Sequence, residues 1–497
     1  MSESTRLSSR ISAFALAHIP GSWHFQRGRR VFGSLLMGYA LFFPLLALLQ
    51  LDVFIRGFES LFLTLFLFLF DDLSNGLLFR GEVIEYWIAS SMLLLTPVML
   101  WRLHRRFILK MTRDGSEREE SQWTIAWKEF QKNRVALTAL LLIVLMYTVA
   151  FLCPVLAPFN PNVFQDGVVT QLRPPLSSVT VLNLRDHRIS PMRLSVEQIR
   201  SKYPTLLRAL VGVNHNLTDE GFSRQRAVDA FRVEAADVMA TEGDELLVIP
   251  ISSLAGAHPE EFASTRFHLF GTDSYGRDLL SRVIYGSRIS LSLGFIAVLL
   301  SVGLGTFVGL SAGYFGRLTD GMLMRFVDVL LAFPTLFLIL IIIAAFEKIA
   351  VPRIILIVVV LGLTSWMGIA RLVRAEVLSL KEREFIIAAR ALGLGHLRIL
   401  LRHILPNALT PIIVNATLRI GGIILVEAAL SYLNIGVQPP TASWGNIIFE
   451  GKDFMSQAWW ISTLPGIAIV LVVVCFNLVG DGLRDAFDPM LSVKGKV

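Results

Sequence analysis

The residues best suited to chemistry lie in a short polar segment that precedes a long apolar run. This segment, His268 to Asp278, reads HLFGTDSYGRD and places two carboxylates, those of Asp273 and Asp278, beside Arg277. Paired carboxylates could hold a metal ion or act as acid and base. The segment also stands where a helix begins, and there Thr272 or Asp273 can cap free N–H groups while an arginine pairs with a carboxylate. The sequence favours this capping and pairing role over a metal or catalytic role.

Known catalytic motifs are absent from the sequence. There is no GxxxxGK[ST] phosphate loop, because Gly451 and Lys452 are followed by Asp453 and the first glycine is missing. There is also no HExxH, CxxC or GxSxG, and the nine histidines are scattered. The sequence therefore predicts that the chain is not an enzyme and has no metal or cofactor of its own.

Two charged residues lie in or beside an apolar run near the end of the chain. Arg419 falls inside the run Ala408 to Val426, and Glu427 follows at its outer end. Eight residues make just over two helical turns, so both side chains lie near one face. Charges inside a membrane are costly and face a cavity or a partner. Two hypotheses stay open: Arg419 and Glu427 line a pathway, or Arg419 pairs with Glu427 or with an acid of a partner chain.

The composition indicates a polytopic membrane protein. Of the 497 residues, 54% are hydrophobic and only 17% are charged, whereas soluble domains contain about 25% charged residues. The net charge of +7 is explained by basic loops on the cytoplasmic side, so no nucleic acid partner is expected. The two cysteines, Cys153 and Cys475, lie in apolar runs and are interpreted as small buried hydrophobic residues.

The apolar runs predict the spans, since about 20 helical residues cross a bilayer. Near the N-terminus, which carries no secretory signal, two extra helices are expected at 31–51 and 83–101. The run 61–70 is too short to span. Beyond these, the predicted spans are 135–153, 289–313, 329–346, 354–370, 408–426 and 461–480.

Residues 155–268 have the composition of a soluble domain. They predict a small mixed α/β insert outside the cytoplasm, with a helix-like stretch from Arg224 to Met239. Its basic residues do not oppose that location, because long loops escape the positive-inside rule.

A basic loop follows Ala370 and is predicted to lie in the cytoplasm. Glu384 to Leu392 are helix formers, Gly393 and Gly395 then break or bend the helix, and Pro406 fits the first turn of a new helix. The pattern predicts a short helix, a glycine joint and a helix start along the membrane surface. Such a shape suits docking to another protein.

This loop resembles the EAA loop of ABC importer permeases, which inserts a coupling helix into a cleft of the ATPase subunit. The departure is Ile387, where that family usually has Glu; Glu384, one helical turn earlier, is a candidate to take over its contacts. The residues that carry the resemblance, and the docking role it implies, are Glu384, Ala388, Ala389, Gly393, Leu405 and Pro406.

Three more segments carry the same resemblance, which covers roughly Trp127 to Pro489. EAALSYLNIGVQPPTASWG, from Glu427 to Gly445, resembles the outer re-entrant segment of peptide permeases, and GDGLRDAFDP resembles their ending. GTDSYGRD resembles the GTDxxGRD box before their second core helix, with the motif residues Gly271, Thr272, Asp273, Gly276, Arg277 and Asp278.

The chain is thus similar to the C-type inner-membrane permease of bacterial dipeptide/oligopeptide ABC importers. The resemblance implies an all-α polytopic fold with six core helices, paired with a second, homologous permease as a heterodimer. It also implies two cytoplasmic ATPases that hold ATP and magnesium, an extracytoplasmic substrate-binding protein, and a peptide substrate. The location implied is the bacterial inner membrane, with both termini cytoplasmic.

Two alternatives remain open from the sequence. A nickel-type metal-chelate importer shares the same permease boxes. A gradient-driven carrier or channel would need paired acids inside the membrane, and none is found in the sequence. The predicted organisation is a cytoplasmic basic tail (1–30), an extra N-terminal membrane region (31–101), a cytoplasmic linker (102–134), a first core helix (135–153), an extracytoplasmic insert (155–268), a core permease domain (269–489) with a docking loop (375–406), and a tail (490–497).

Overall fold

The computed structural model describes most of the chain beyond residue 121. The described ranges are 122–159, 167–184, 225–346, 353–439 and 441–488, with gaps at 235–236, 244, 255 and 257 and a few single positions elsewhere. The predicted basic tail, the extra N-terminal membrane region and the C-terminal tail lie almost entirely outside these residues, so those predictions stay predictions.

Contacts within the chain group it into two compact units. One includes residues 148–285 and 456–460, and the other includes 120–147, 286–455 and 461–497. The first unit holds the insert, and the second holds most of the length of the long helices.

The insert contains two three-stranded antiparallel sheets, with strand orders β2-β1-β6 and β3-β4-β5. The strands are β1 (Ser177–Asn183), β2 (Gln225–Val228), β3 (Ala230–Glu234), β4 (Asp237–Glu242), β5 (Glu245–Pro250) and β6 (Ala263–His268). Leu182, Val238 and Phe262 are fully buried in one hydrophobic core to which both sheets contribute. Single helical turns at Gly167–Thr170 and Pro259–Phe262 accompany the sheets, so the prediction of a small insert with strands and short helices is confirmed.

The helix-like interpretation of Arg224 to Met239 is wrong. This stretch forms β2, β3 and the first half of β4. Val238 and Ala240 of β4 are fully buried, whereas Met239 between them is only half-buried. That two-residue period is the signature of a strand with one face in a core, and the paired neighbours decide it over local helix preference.

Helices form most of the described chain outside the sheets. They are α1 (Gln122–Phe130), α2 (Arg134–Phe151), α3 (Leu279–Phe315), α4 (Arg317–Leu331), α5 (Thr335–Phe346), α6 (Arg353–Leu380), α7 (Glu384–Ala391), α8 (His396–Ile399), α9 (Leu405–Tyr432), α10 (Trp444–Gly451) and α11 (Trp460–Phe487). Among the described residues, five helices are long and apolar enough to cross a membrane, or six if α4 and α5 count as one bent span.

The glycines of α3 fix the direction of α6. A Cβ added at Gly305 would lie 2.7 Å from that of Ile369, and one added at Gly313 would lie 2.7 Å from that of Val377. Both contacts advance by eight residues in the same direction, so α3 and α6 run parallel. Small residues let another backbone approach closely, so α3 and α6 are packed tightly along these glycines.

Because α3 and α6 are parallel, the chain between them must return across the membrane. The predicted continuous span from Val329 to Phe346 is wrong in detail: α4 and α5 meet at a break of 89°. Pro334 stands at this break, and proline disfavours a helical conformation in the residue before it. We therefore count α4 and α5 as one broken span, which makes six crossings within the described residues.

The remaining long helices alternate in direction. Ser290 of α3 bonds to Glu427 of α9, and Gly294 lies against Ile424, so α9 is antiparallel to α3. In the same way, α11 is antiparallel to α9, because its Val473 and Gly480 lie against Gly421 and Leu418.

The helix α2 also follows the alternating directions of the long helices, as its contacts near both ends show. The hydroxyl of Tyr147 donates to the Leu291 carbonyl near the start of α3, and Ala136 lies against Gly482 near the end of α11. The start of α2, the end of α11 and residues 381–404 therefore share one side, which we call the docking side. The ends of α2 and α3 that join the insert face the opposite side, which we call the insert side.

Candidate functional site

The docking segment, residues 381–404, forms two short helices joined by a glycine turn. In α7, Arg383 is the extended N-cap residue, and Ala391 is the last helical residue. Gly393 has φ +75°, a conformation that glycine adopts without steric cost. The predicted short helix and glycine joint are therefore present.

The predicted helix start is confirmed, because α9 begins at Leu405 and Pro406 lies in its first turn. The sequence did not predict that the helical path continues back from α9 to His396. Residues Leu400–Ile404 form a π-helical turn inside it. Pro406 lacks an N–H and leaves a carbonyl one turn earlier without its usual donor. The widened turn and the Asn407 amide, which donates to the His403 carbonyl at 2.6 Å, accommodate this loss.

The inner face of the docking segment is part of the core of the second unit. The fully buried residues Ile386, Ile399 and Ile404 join a cluster with Val373 of α6 and Leu310 of α3. The cluster continues into the first turns of α9. The segment is therefore packed against three of the long helices at once, and a rigid displacement of one requires displacement of the others.

Polar contacts add a second attachment at the end of α3. The Tyr314 hydroxyl and His396 Nδ1 are 2.9 Å apart, and the Arg390 guanidinium lies over the Tyr314 ring at 5.1 Å. Lys381 Nζ donates to the Gly313 carbonyl at 3.5 Å. Tyr314 was not identified from the sequence; the available signal was an aromatic residue directly after the last of three glycines spaced by four.

The outer face of the docking segment is apolar at its centre. Five large hydrophobic side chains are 45–82% exposed: Phe385, Ile387, Leu392, Leu397 and Leu401. Exposed arginines surround them at positions 383, 390, 398 and 402. An exposed apolar patch rimmed by polar residues is typical of a protein–protein contact surface.

The structure divides the six predicted docking residues between the two faces. Ala389 is buried in the core cluster and Leu405 packs against it, whereas Glu384, Ala388, Gly393 and Pro406 are exposed. Ile387, which departs from the family pattern, is also exposed, at 54%.

The pre-helix box, residues 271–278, is a buried polar network in the first unit. Asp273 accepts from Arg277 Nε at 2.7 Å and from Arg282 Nη1 at 2.6 Å, and all three side chains are buried. Its Oδ1 also accepts the backbone N–H groups of Tyr275 and Arg277. The pairing with arginine matches the expectation for Asp273, but the expected helix cap is wrong: Tyr275 and Arg277 lie before α3, which begins only at Leu279. The N–H of Ser281 in its first turn donates to Asp278 Oδ2 at 2.8 Å. Gly271 and Gly276 both have positive φ, at +75° and +71°.

The second carboxylate of the box has other partners. Asp278 accepts from His268 Nδ1 at 2.8 Å and from the Ser281 hydroxyl at 2.7 Å. The expected pairing of Asp278 with an arginine is replaced by this histidine and serine. The Thr272 N–H donates to the Arg173 carbonyl, and the Thr272 hydroxyl oxygen accepts from the Arg173 N–H. The Thr272 carbonyl accepts from Trp460 Nε1 at 3.1 Å. The box therefore ties the loop before β1 to the starts of α3 and α11.

The two charged residues of α9 do not pair with each other. Glu427 is fully buried and accepts from Ser290 at 3.1 Å, from Ser431 at 2.8 Å and from Ser443, the N-cap residue of α10. Arg419 is half-buried and bonds to the Asn415 side chain and the Ser365 carbonyl. The hypothesis of an Arg419–Glu427 pair is therefore wrong for this conformation. The three serines around Glu427 were not identified from the sequence.

Comparison with known proteins identifies the family. Residues 305–493 match the family described as binding-protein-dependent transport system inner membrane component, and residues 121–175 match the N-terminal transmembrane domain of oligopeptide transport permease C. The first range includes the docking segment, α9 and α11.

Curated relatives carry related names. The chain is 45% identical over 225 residues to the dipeptide transport system permease protein DppC of Alkalihalophilus pseudofirmus, covering 45% of this chain and 73% of that protein. It is 42% identical over 223 residues to the oligopeptide transport system permease protein OppC of Haemophilus influenzae, covering 45% and 70%. Among solved structures, the inward-facing methionine transporter MetNI matches 42% of this chain and 97% of that chain, at 18% identity and a TM-score of 0.35.

The fold and these matches define a multi-pass membrane permease of the ABC importer class. Among families, the chain belongs to the binding-protein-dependent transport system inner membrane components. The predicted family and fold class are confirmed.

Proposed function

We propose that this chain forms half of the translocation pathway of an ATP-driven importer for peptides. The names of the relatives support a peptide substrate over a metal chelate, since they are dipeptide and oligopeptide permeases. A homologous second permease would complete the pathway. An extracytoplasmic binding protein would deliver peptide to it.

The observation that carries the proposal is the two-faced docking segment. Its outer face offers exposed hydrophobic side chains inside a basic rim, and its inner face is packed into the core that joins α3, α6 and α9. A partner that grips the outer face would move those helices together. Two ATPase subunits, which bind ATP and magnesium, are the partners that this family membership supports.

The basic residues of the docking segment also indicate how the chain is oriented in the membrane. The docking side carries the basic residues of the docking segment, so we assign it to the cytoplasm. The insert side, with residues 155–268, is then extracytoplasmic. The six crossings of the described residues leave the start of α2 and the end of α11 in the cytoplasm, and we assign the linker 102–134 and the C-terminal tail there with them.

The proposed mechanism is a population shift between inward-open and outward-open states. ATP binds the closed ATPase dimer better than the open one, and this differential affinity drives the change. Residues 384–393 move with the ATPases as a rigid body, α3, α6 and α9 rock with them, and the cavity opens outward to receive peptide.

The proposed function is tested on the assembled complex with its binding protein. Leu397→Asp places a charge on the exposed apolar face, and we expect it to lower peptide-stimulated ATPase activity at least roughly tenfold, the factor that about 1.4 kcal/mol gives. Ala389→Asp and Gly393→Pro act on the buried face and on the joint, and we expect the same loss.

Met455→Asp is the matched control, because Met455 is 51% exposed but lies on the insert side. We expect this variant to keep its stimulated activity. Unchanged stimulated ATPase activity in all three docking-segment variants would refute the coupling role.

A further inference from the structure

Arg419 is a cation without an acid among the described residues. Its Nε donates to the Asn415 Oδ1 at 2.7 Å, and its Nη1 donates to the Ser365 carbonyl at 3.2 Å. Both acceptors are neutral. An arginine has five N–H donors in a planar fork, and these two bonds leave Nη2 for another acceptor. These two bonds fix the orientation of the Arg419 guanidinium, but no acidic side chain among the described residues neutralises its charge.

The residue beside the Arg419 guanidinium on α6 is a glycine, Gly368. A Cβ at Gly368 of α6 would lie 3.4 Å from the Arg419 Cζ and closer still to Nη2, so the guanidinium lies directly against Gly368. One turn further along α9, a Cβ at Gly422 would meet nothing within 4 Å. Open space therefore lies beside α9 one turn from Arg419.

Depth argues against a lipid headgroup as the missing partner. Arg419 lies about 20 Å from either end of α9, at 1.5 Å per residue, and half of a hydrocarbon core is about 15 Å. An arginine near a helix end can extend toward the interface. Here the bonds to Ser365 and Asn415 hold the head group against α6 at mid-depth.

The nearest acid along the helix is also unavailable. Glu427 is fully buried, and its carboxylate is occupied by three serine hydroxyls. Eight residues along a helix separate the two Cα atoms by about 12 Å. The counter-charge for Arg419 must come from outside the described part of the chain.

We propose that Arg419 binds a carboxylate of the transported peptide midway through the membrane. This inference rests on the proposed function, since it assigns one substrate contact within that pathway. Every unmodified peptide carries a C-terminal carboxylate, and arginine recognises a carboxylate through paired N–H bonds. Ser365 and Asn415 orient the guanidinium before substrate arrives, and the open space beside Gly422 admits the peptide.

The test compares two peptides in proteoliposomes that contain the complete importer. One peptide has a free C-terminus and the other has a C-terminal amide, and the pair is chosen so that the isolated binding protein binds both. Initial import rates are measured at saturating peptide, so the binding protein is loaded in every arm. We expect Arg419→Gln to lower the ratio of free to amidated import roughly tenfold, the factor for loss of one charge-assisted bond of about 1.4 kcal/mol.

Arg419→Lys keeps the charge but loses the planar fork, and we expect it to lower the same ratio by a smaller factor. Arg353→Gln is the matched control at the insert-side start of α6 and should leave the ratio unchanged. An equal loss for both peptides, or a wild-type ratio in both variants, would overturn the assignment.

Assembly is followed by size-exclusion chromatography of the complex. If Arg419→Gln separates the subunits while Arg419→Lys keeps both assembly and the wild-type ratio, Arg419 pairs with an acid of a partner chain and the assignment is overturned. If the wild-type complex imports neither peptide, the proposed function itself has failed, and that outcome is distinct from a change in the ratio.

Discussion

The pre-helix box and the docking segment are both recognised by sequence motifs, yet they are built in opposite ways. In the box, Asp273 and Arg277 are buried and form ion pairs with each other and, through Asp273, with the buried Arg282 of α3. In the docking segment, large apolar side chains such as Leu392 and Leu397 are 82% and 69% exposed. A buried ion-pair network stabilises the fold, whereas an exposed apolar face is suited to contact with a partner.

The difference predicts different consequences of mutation. Removal of one member of the box leaves other charges buried without partners, which costs folding stability. A change on the outer face of the docking segment leaves the fold intact and affects the complex. Stability assays and coupling assays should therefore separate the two regions cleanly.

The largest effect is expected for Asp273→Ala. Two buried guanidinium groups lose their shared carboxylate, and breaking such a buried pair costs about 3–5 kcal/mol. We expect a strong loss of monodisperse protein in detergent and a lowered thermal unfolding midpoint. Asp453→Ala, at an exposed position, is the control. If Asp273→Ala has the same thermal unfolding midpoint as the wild type, the proposed difference between the box and the docking segment is wrong.

An intermediate effect is expected for Tyr314→Phe. The variant loses the hydroxyl contact with His396 but keeps the ring under Arg390, so one bond of about 1 kcal/mol is removed. We expect basal ATPase activity of the complex to persist while the peptide imported per ATP falls about two- to fivefold. Tyr432→Phe, at an exposed residue at the far end of α9, controls for the loss of a hydroxyl. If the peptide imported per ATP is the same in both variants, the end of α3 does not transmit movement from the docking segment to the long helices.

The smallest effect is expected in the insert, at Asp229. The Gly243 N–H donates to this carboxylate at 2.9 Å and, together with Arg173, holds the pKa of Asp229 below its usual value. A lowered pKa contributes stability that is present above the unfolded pKa of about 3.9. This contribution is lost as the pH falls through the lower folded value.

The measurement for Asp229 is the thermal unfolding midpoint of wild type and Asp229→Asn between pH 7 and pH 3. We expect the wild type to be slightly more stable at pH 7 and the difference to shrink below about pH 4. A difference that stays constant, or grows toward acid, would show that the carboxylate charge does not matter.

Local signals in the sequence predicted the docking segment well, because a run of helix formers and a glycine joint are decided within a few residues. They failed where distant packing decides. The continuation of helix through Pro406 depends on burial of Leu400 and Ile404 against α3 and α6. The strands predicted as a helix at 224–239 depend on cross-strand partners in the same way.

For one of the wrong predictions, the continuous span from Val329 to Phe346, the sequence did contain a signal against it. Pro334 is the sixth residue of the predicted span that began at Val329, and its effect on the preceding residue predicts the break between α4 and α5. The contacts of Arg419 and Glu427 had no such signal. A face shared on one helix does not reveal which neighbouring helix supplies the partners.

The central claim is that the outer face of the docking segment contacts the ATPase subunits in the cytoplasm. The most direct measurement is photo-crosslinking in native membranes, with a photoreactive amino acid in place of Leu397 and, as the comparison, in place of Leu246 of the insert, which is 62% exposed. The account predicts a crosslink from position 397 to an ATPase subunit and none from position 246. A crosslink from position 397 to an extracytoplasmic protein, with no ATPase adduct, would contradict it.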